Sequence, residues 1–152
     1  MNPSSPGMRE PSAADAPAIE IRRSVLDDLV AHAREEAPNE CCGVLIGSAQ
    51  RIDRAVRARN ALDSPTRYQI DPRDQIAAIR GARERGECVV GFYHSHPSSA
   101  PAPSETDRAE ASYPGQCYLI VSPGGPASAP EIRAFQLQGS GNFLPIALVP
   151  IP

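Results

Sequence analysis

The sequence predicts one domain of the α/β (α+β) class, a mixed β-sheet flanked by two main helices. Three observations predict it. Short apolar or alternating runs recur with the period of two expected of strands. Two longer segments place apolar residues every three to four positions behind a helix-start signal. Strands and helices alternate, but without the regular spacing of a doubly wound sheet. At 152 residues, 41% hydrophobic and 22% charged, the chain suits a single globular unit with a modest core.

Taken in order, Ile19-Glu20-Ile21 alternates as a short strand does. Ser24 then caps a helix that runs to residue 36, with Val25, Leu26, Leu29, Val30 and Ala33 on one face. Pro38 ends it. His32 lies mid-helix among polar neighbours and reads as a surface residue. Residues 41–46 form a buried strand stopped by Gly47, and 52–58 alternate as its hairpin partner. A loop over 60–65 leads to a short strand, Tyr68-Gln69-Ile70. Asp71 caps a second helix with Pro72 at its first position, Ile76, Ala77, Ile79 and Ala82 on its apolar face, and Gly86 closing it. Residues 87–93 are a central strand. A Pro/Ser/Ala loop over 98–103 precedes a short helix over 104–112, and strands follow over 116–121 and 132–137. Residues 143–149 make a last strand, which Pro145 places at a sheet edge. An apolar edge of that kind could pair between chains and give a homodimer.

Bulk properties exclude several classes. Net charge is −3 and no Lys/Arg cluster forms a basic stripe, so nucleic acid is not a main partner. No run approaches the roughly eighteen apolar residues of a membrane span. Residues 1–16 are rich in Pro, Ser, Ala and Gly and lack the basic start and apolar run of a signal peptide. They read as a flexible tail before a domain over 17–152, and a cytoplasmic location follows. Of the four cysteines (Cys41, Cys42, Cys88, Cys117) none has CxxC spacing, and buried free thiols of a reducing compartment are the plain reading. A nucleophilic role for Cys41 or Cys42 would need a histidine, and none is near in sequence.

The chemistry concentrates in His94-Ser95-His96-Pro97, followed by Ser104 and Asp107. Residues i and i+2 of a strand project from one face, so the two imidazoles at the end of the apolar run 88–93 can converge on one point. Burying both unpaired would cost several kcal/mol, which favours a metal between them. Two histidines and an acid are a common catalytic zinc set that leaves a fourth position open. Asp107 is the candidate acid, with Glu105 or Glu110 as substitutes. Ser104-Glu105-Thr106-Asp107 also has the form of a capping box, which competes for the Asp107 carboxylate. Hydrolysis further needs a proton carrier, and Glu40, at the mouth of the 41–46 strand, is the candidate; a solvated turn acid is the alternative.

Glu40, His94-x-His96-Pro97 and Ser104-x-x-Asp107 together resemble the JAMM motif (E…HxHPx6SxxD) of the MPN-domain metalloproteases, without gaps from His96 to Asp107. The resemblance covers about residues 19–149. It implies an MPN (cytidine-deaminase-like) fold, a curved mixed sheet between helices. It implies that His94, His96 and Asp107 ligate one zinc ion, that Glu40 is the general acid/base acting through the zinc water, and that Ser104 hydrogen-bonds the oxyanion. All five residues are present, unlike in zinc-free scaffold members of the family. The short stretch between Ser112 and Ser122 leaves little room for the insertion of eukaryotic ubiquitin-chain-cutting members. The chain looks like the compact bacterial type associated with ubiquitin-like sulfur-carrier proteins. The implied activity is hydrolysis of a peptide or isopeptide bond after a C-terminal Gly-Gly, the extended tail adding to a sheet edge. Three rivals are a non-catalytic MPN-type interaction scaffold, an HxH barrel hydrolase, which needs about 250 residues, and a deaminase, whose PCxxC pair is missing.

Overall fold

The computed structural model describes residues 17–152; the expected tail over 1–16 lies outside the described residues. The elements are β1 (Ala18–Arg22), α1 (Arg23–Glu36), β2 (Cys42–Ser48), β3 (Arg51–Ala58), α2 (Pro72–Glu84), β4 (Cys88–Ser95), α3 (Glu105–Glu110), β5 (Cys117–Ser122), β6 (Glu131–Leu137) and β7 (Phe143–Ile151). The sheet is mixed, in the order β1-β3-β2-β4-β5-β6-β7, and it closes on itself because β1 pairs in parallel with both β3 and β7. The β4–β5 pair is also parallel, and the remaining pairs are antiparallel.

Closure refines the reading of the last strand. β7 pairs with β6 over residues 143–146 and with β1 over 147–151. Pro145 and Pro150 each fall in a half that is paired on one side only, where a missing N–H is tolerated. The strand therefore changes partners midway, and its free side is split between two short half-strands rather than offered as one continuous edge.

Side-chain alternation along the sheet builds two apolar layers. Leu45, Tyr93, Leu119 and Val121 meet Val25, Leu29 and Ala33 of α1 on one face. Val44, Ile46, Phe92 and Tyr118 meet Ala78 and Ala82 of α2 on the other. The helix α2 starts as expected, with Asp71 Oδ1 accepting from the N–H groups of Arg73 and Asp74. Its inward face is only partly the expected one: Ala82 packs inward as predicted, but Ala78 takes the place of Ile76, Ala77 and Ile79. Ile76 and Ile79 are 52% and 37% exposed, whereas the small side chains Ala78 and Ala82 let the helix lie close to the sheet. Two further expectations fail locally. Ser24 lies inside α1, whose N-cap Arg22 makes no side-chain capping bond. The strand over 68–70 reduces to one bridge, Asn60 to Ile70.

His32 is the clearest reversal. It is 4% exposed, continues the Val25–Leu29 stripe, and its Nδ1 shares a 2.8 Å hydrogen bond with the Tyr93 hydroxyl. Burial first, then the charge of Arg57, pushes its pKa down from 6.5 to about 4. Between those values the unfolded chain takes up a proton that the fold refuses, so His32 removes stability as pH falls. The loss reaches about 3 kcal/mol by pH 4. Urea unfolding of wild type and His32→Gln at pH 7 and pH 4.5 should show a steeper acid loss in the wild type.

Candidate metal centre

β2 and β4 run antiparallel with Cys42 opposite His94, so the residue entering β2 lies beside the residues leaving β4. Glu40 is that entering residue, and it is buried together with His94 and His96. The chain then turns through residues 97–103 and re-enters as α3, with Ser104 at its N-cap. This brings a carboxylate back over the strand end. His94 Nε2, His96 Nε2 and Asp107 Oδ2 form a triangle with all three sides 3.1 Å. A carboxylate oxygen of Glu40 lies within 4.8 Å of the histidine nitrogens.

The capping and metal readings of Asp107 turn out to be compatible. The Ser104 N–H donates to Asp107 Oδ2 at 3.0 Å, and the Asp107 N–H donates to Ser104 Oγ at 3.0 Å, a complete capping box. The capped oxygen is the same one that faces both histidines. The cap therefore aims the carboxylate. His96 is oriented similarly. Its Nδ1 lies 2.8 Å from the Ala100 carbonyl, which can only accept, so Nδ1 donates and Nε2 presents a lone pair to the centre.

The donor set fits a tetrahedral ion. Ligand bonds of about 2.0–2.1 Å imply ligand–ligand edges of about 3.3 Å, close to the sides of this triangle. Among the described residues, two buried side-chain atoms have no hydrogen-bond partner, Glu40 Oε1 and His94 Nδ1. Glu40 Oε1 belongs to the open side of this cluster, whereas His94 Nδ1 lies on the far side of the ring from the Nε2 that faces the triangle. An orphan such as Glu40 Oε1 is rare in native interiors and marks a place where a further group completes the bonding.

Electrostatics separate the groups. Burial pushes the Glu40 carboxyl up to about 7, with His96 opposing and Asp107 adding to the rise. Burial also acts to raise Asp107, but hydrogen bonds from His94 and His96 outweigh it and hold that carboxyl well below the usual range. Burial lowers His94 despite Asp107, whereas for His96 the bonds to Asp107 and Ala100 overcome burial and raise it. Asp107 is thus ionised near neutral pH while Glu40 titrates there.

Three contributors were not apparent in the sequence. Tyr68 stacks on the His94 ring, with centroids 4.3 Å apart and planes at 17°. It also lines a cleft of about 470 Å³ whose walls include Phe92, Tyr113, Tyr118, Arg67 and Glu110. Ser95 and Asn60 hold the backbone at Glu40. No local pattern flags these residues, because each acts on a partner more than a dozen positions away.

A model of prokaryotic homologs of the JAB domain matches residues 22–138. The chain is 43% identical over 120 residues to a desampylase of Haloferax volcanii, covering 74% of this chain and 86% of that protein. It is 36% identical over 119 residues to the CysO-cysteine peptidase of Mycobacterium bovis, covering 77% and 81%. Its fold is similar to the crystal structure of a JAB1/MPN domain protein from Archaeoglobus fulgidus, with a TM-score of 0.58, 21% identity and coverage of 88% and 97%. Among the described residues no helix is long and apolar enough to cross a membrane. The family match takes in both main helices, five of the seven strands and the whole motif-bearing loop. On that breadth, the chain belongs to the prokaryotic homologs of the JAB domain, with an MPN fold.

Proposed function

We propose that this chain is a zinc-dependent peptidase that hydrolyses the peptide or isopeptide bond after the C-terminal Gly-Gly of a ubiquitin-like sulfur-carrier protein. The observation that carries the reading is the 3.1 Å triangle of His94, His96 and Asp107 beside an unpartnered, buried Glu40. The desampylase and the CysO-cysteine peptidase support the substrate class. His94, His96 and Asp107 would hold the ion. When bound, zinc supplies Lewis acidity, polarising a carbonyl and lowering the pKa of water to about 7.

The protein's own groups do the rest. With its carboxyl raised to about 7, Glu40 is populated in both protonation states at neutral pH. It can take the proton of the attacking water and return it to the leaving amine. Ser104 Oγ accepts from the Asp107 N–H, which leaves the Ser104 O–H free to donate to the developing oxyanion. Its capping and catalytic roles therefore coexist. Tyr68 covers one face of His94 and keeps water from it. Tyr68 also lines the neighbouring cleft, so that cleft and the His94 ring share one wall, and a tail without side chains suits a narrow passage between them. Cytoplasmic work agrees with free Cys41, Cys42, Cys88 and Cys117.

The test is incubation with sulfur carriers extended beyond Gly-Gly by cysteine, a peptide or a lysine-linked protein, read by intact mass. Cleavage after the second glycine that stops with chelator supports the reading. A zinc-loaded protein that leaves every adduct intact overturns it.

A further inference from the structure

Nothing in the bonding of the Glu40 side chain explains where its carboxyl sits. Oε1 has no partner, and the residue precedes β2, so no sheet ladder holds it. Its position must come through the backbone, where four hydrogen bonds converge on two residues. The Glu40 N–H donates to the Ser64 carbonyl at 2.9 Å, and Asn60 Nδ2 donates to the Glu40 carbonyl at 3.1 Å. The Cys41 N–H donates to Ser95 Oγ at 2.8 Å, and the Ser95 N–H donates to the Cys41 carbonyl at 3.0 Å.

We infer that Ser95 and Asn60 are positioning residues that clamp the backbone of residues 40–41 and so set Glu40 against the metal-ligand pair. Ser95 is suited to this because of strand alternation. It stands between His94 and His96 but projects from the opposite face, is fully buried, and ties their strand to the Glu40 segment by main chain and side chain together. A shift of the ligand strand therefore carries the base with it. Asn60 holds the other side. Its Nδ2 also donates to the Arg67 carbonyl at 3.0 Å, and its Oδ1 accepts from the N–H groups of Leu62 and Gln69 at 3.0 and 3.1 Å. One carboxamide thus folds the loop that presents Tyr68 and fastens it to Glu40. The cleft wall, the aromatic cover of His94 and the base share one anchor.

This inference rests on Glu40 as the proton carrier. Its test compares Ser95→Ala, Ser95→Thr, Asn60→Asp and Glu40→Gln, each as zinc-loaded protein acting on an extended carrier. Asn60→Asp keeps the acceptor that organises the loop and loses the donor to the Glu40 and Arg67 carbonyls. For Ser95→Ala and Asn60→Asp, kcat should fall by about 10- to 100-fold while KM changes by less than about threefold, because a misplaced base affects turnover more than binding. Ser95→Thr, which keeps the hydroxyl, should recover most of the rate. Zinc content and the visible spectrum of cobalt-substituted protein should match wild type. Placed on Glu40→Gln, Ser95→Ala should lower the residual rate no further, since it acts through the group already removed.

Wild-type kcat in both Ser95→Ala and Asn60→Asp overturns the clamp, as does a rate loss that follows lost zinc or an altered cobalt spectrum. An equal further loss on Glu40→Gln also overturns it, because Ser95 would then act elsewhere. Should Ser95→Ala not fold, Asn60→Asp carries the same comparison. Full activity in Glu40→Gln overturns the reading of Glu40 and the clamp together, whereas inactive Glu40→Gln beside fully active Ser95→Ala and Asn60→Asp overturns the clamp alone.

Discussion

Glu40→Gln should lower kcat by about 10³-fold, within the range supplied by a positioned general acid/base, and leave zinc content unchanged. Glutamine preserves the shape and burial of the side chain but can neither take nor return a proton. The same substitution should stabilise the metal-free protein at alkaline pH. The folded carboxyl binds its proton more tightly than the unfolded one, with a pKa of about 7 against 4.5. Its contribution to stability is therefore complete below pH 4.5 and is lost as pH rises through 7, up to about 3 kcal/mol. At pH 8 the wild type holds a buried, unpartnered carboxylate that Glu40→Gln does not. Thermal melts of chelated protein at pH 8 should thus place the variant above wild type, while assays place it far below. A variant both active and no more stable would contradict the assignment. Such a reversal of stability and activity is what a strained functional residue predicts.

Asp107→Asn should abolish both turnover and the stabilisation that zinc confers. A ligand that binds only the folded state adds RT ln(1 + [L]/Kd), about 4 kcal/mol at a thousandfold excess over Kd. Wild type should show this as a clear rise in Tm on adding zinc and its loss with chelator. In Asp107→Asn the capping bonds can persist through the amide oxygen, but the anionic corner of the triangle is gone. Zinc should then shift Tm little, and metal analysis should find well under one ion per chain. Because the cap survives but the bonds from His94 and His96 to an anionic oxygen weaken, the metal-free variant should melt only modestly below the metal-free wild type. A large drop there would mean that Asp107 serves the fold first and the ion second.

Several features of the fold were legible because they are local. The Asp71-Pro72 start of α2 and the Ser104-x-x-Asp107 cap each involve groups two or three positions apart. The two-residue spacing of His94 and His96 put both rings on one face whatever the sheet around them. Other features depended on which surfaces meet. Ile76 and Ile79 have the apolar character of an inward face, yet α2 is rolled so that Ala78 and Ala82 touch the sheet. His32 has polar neighbours in sequence and an apolar environment in space, because α1 lies over Tyr93. β7 reads as an edge from Pro145 alone, and only closure through β1 shows that the strand changes partners midway.

The same division holds at the site. By itself the sequence determined the reactive groups and the local geometry of each: two imidazoles on one strand face, a serine and an aspartate one helical turn apart, and an acid at a strand mouth. The tertiary structure decided how they stand to one another. It placed the capped oxygen of Asp107 against both histidines, removed water from Glu40 and so raised its carboxyl to about 7, and joined residues 40–41 to Ser95 and Asn60. Burial and long-range hydrogen bonding arise only when distant segments pack together, and a carboxyl group's charge state follows from what surrounds it rather than from what precedes it in the chain.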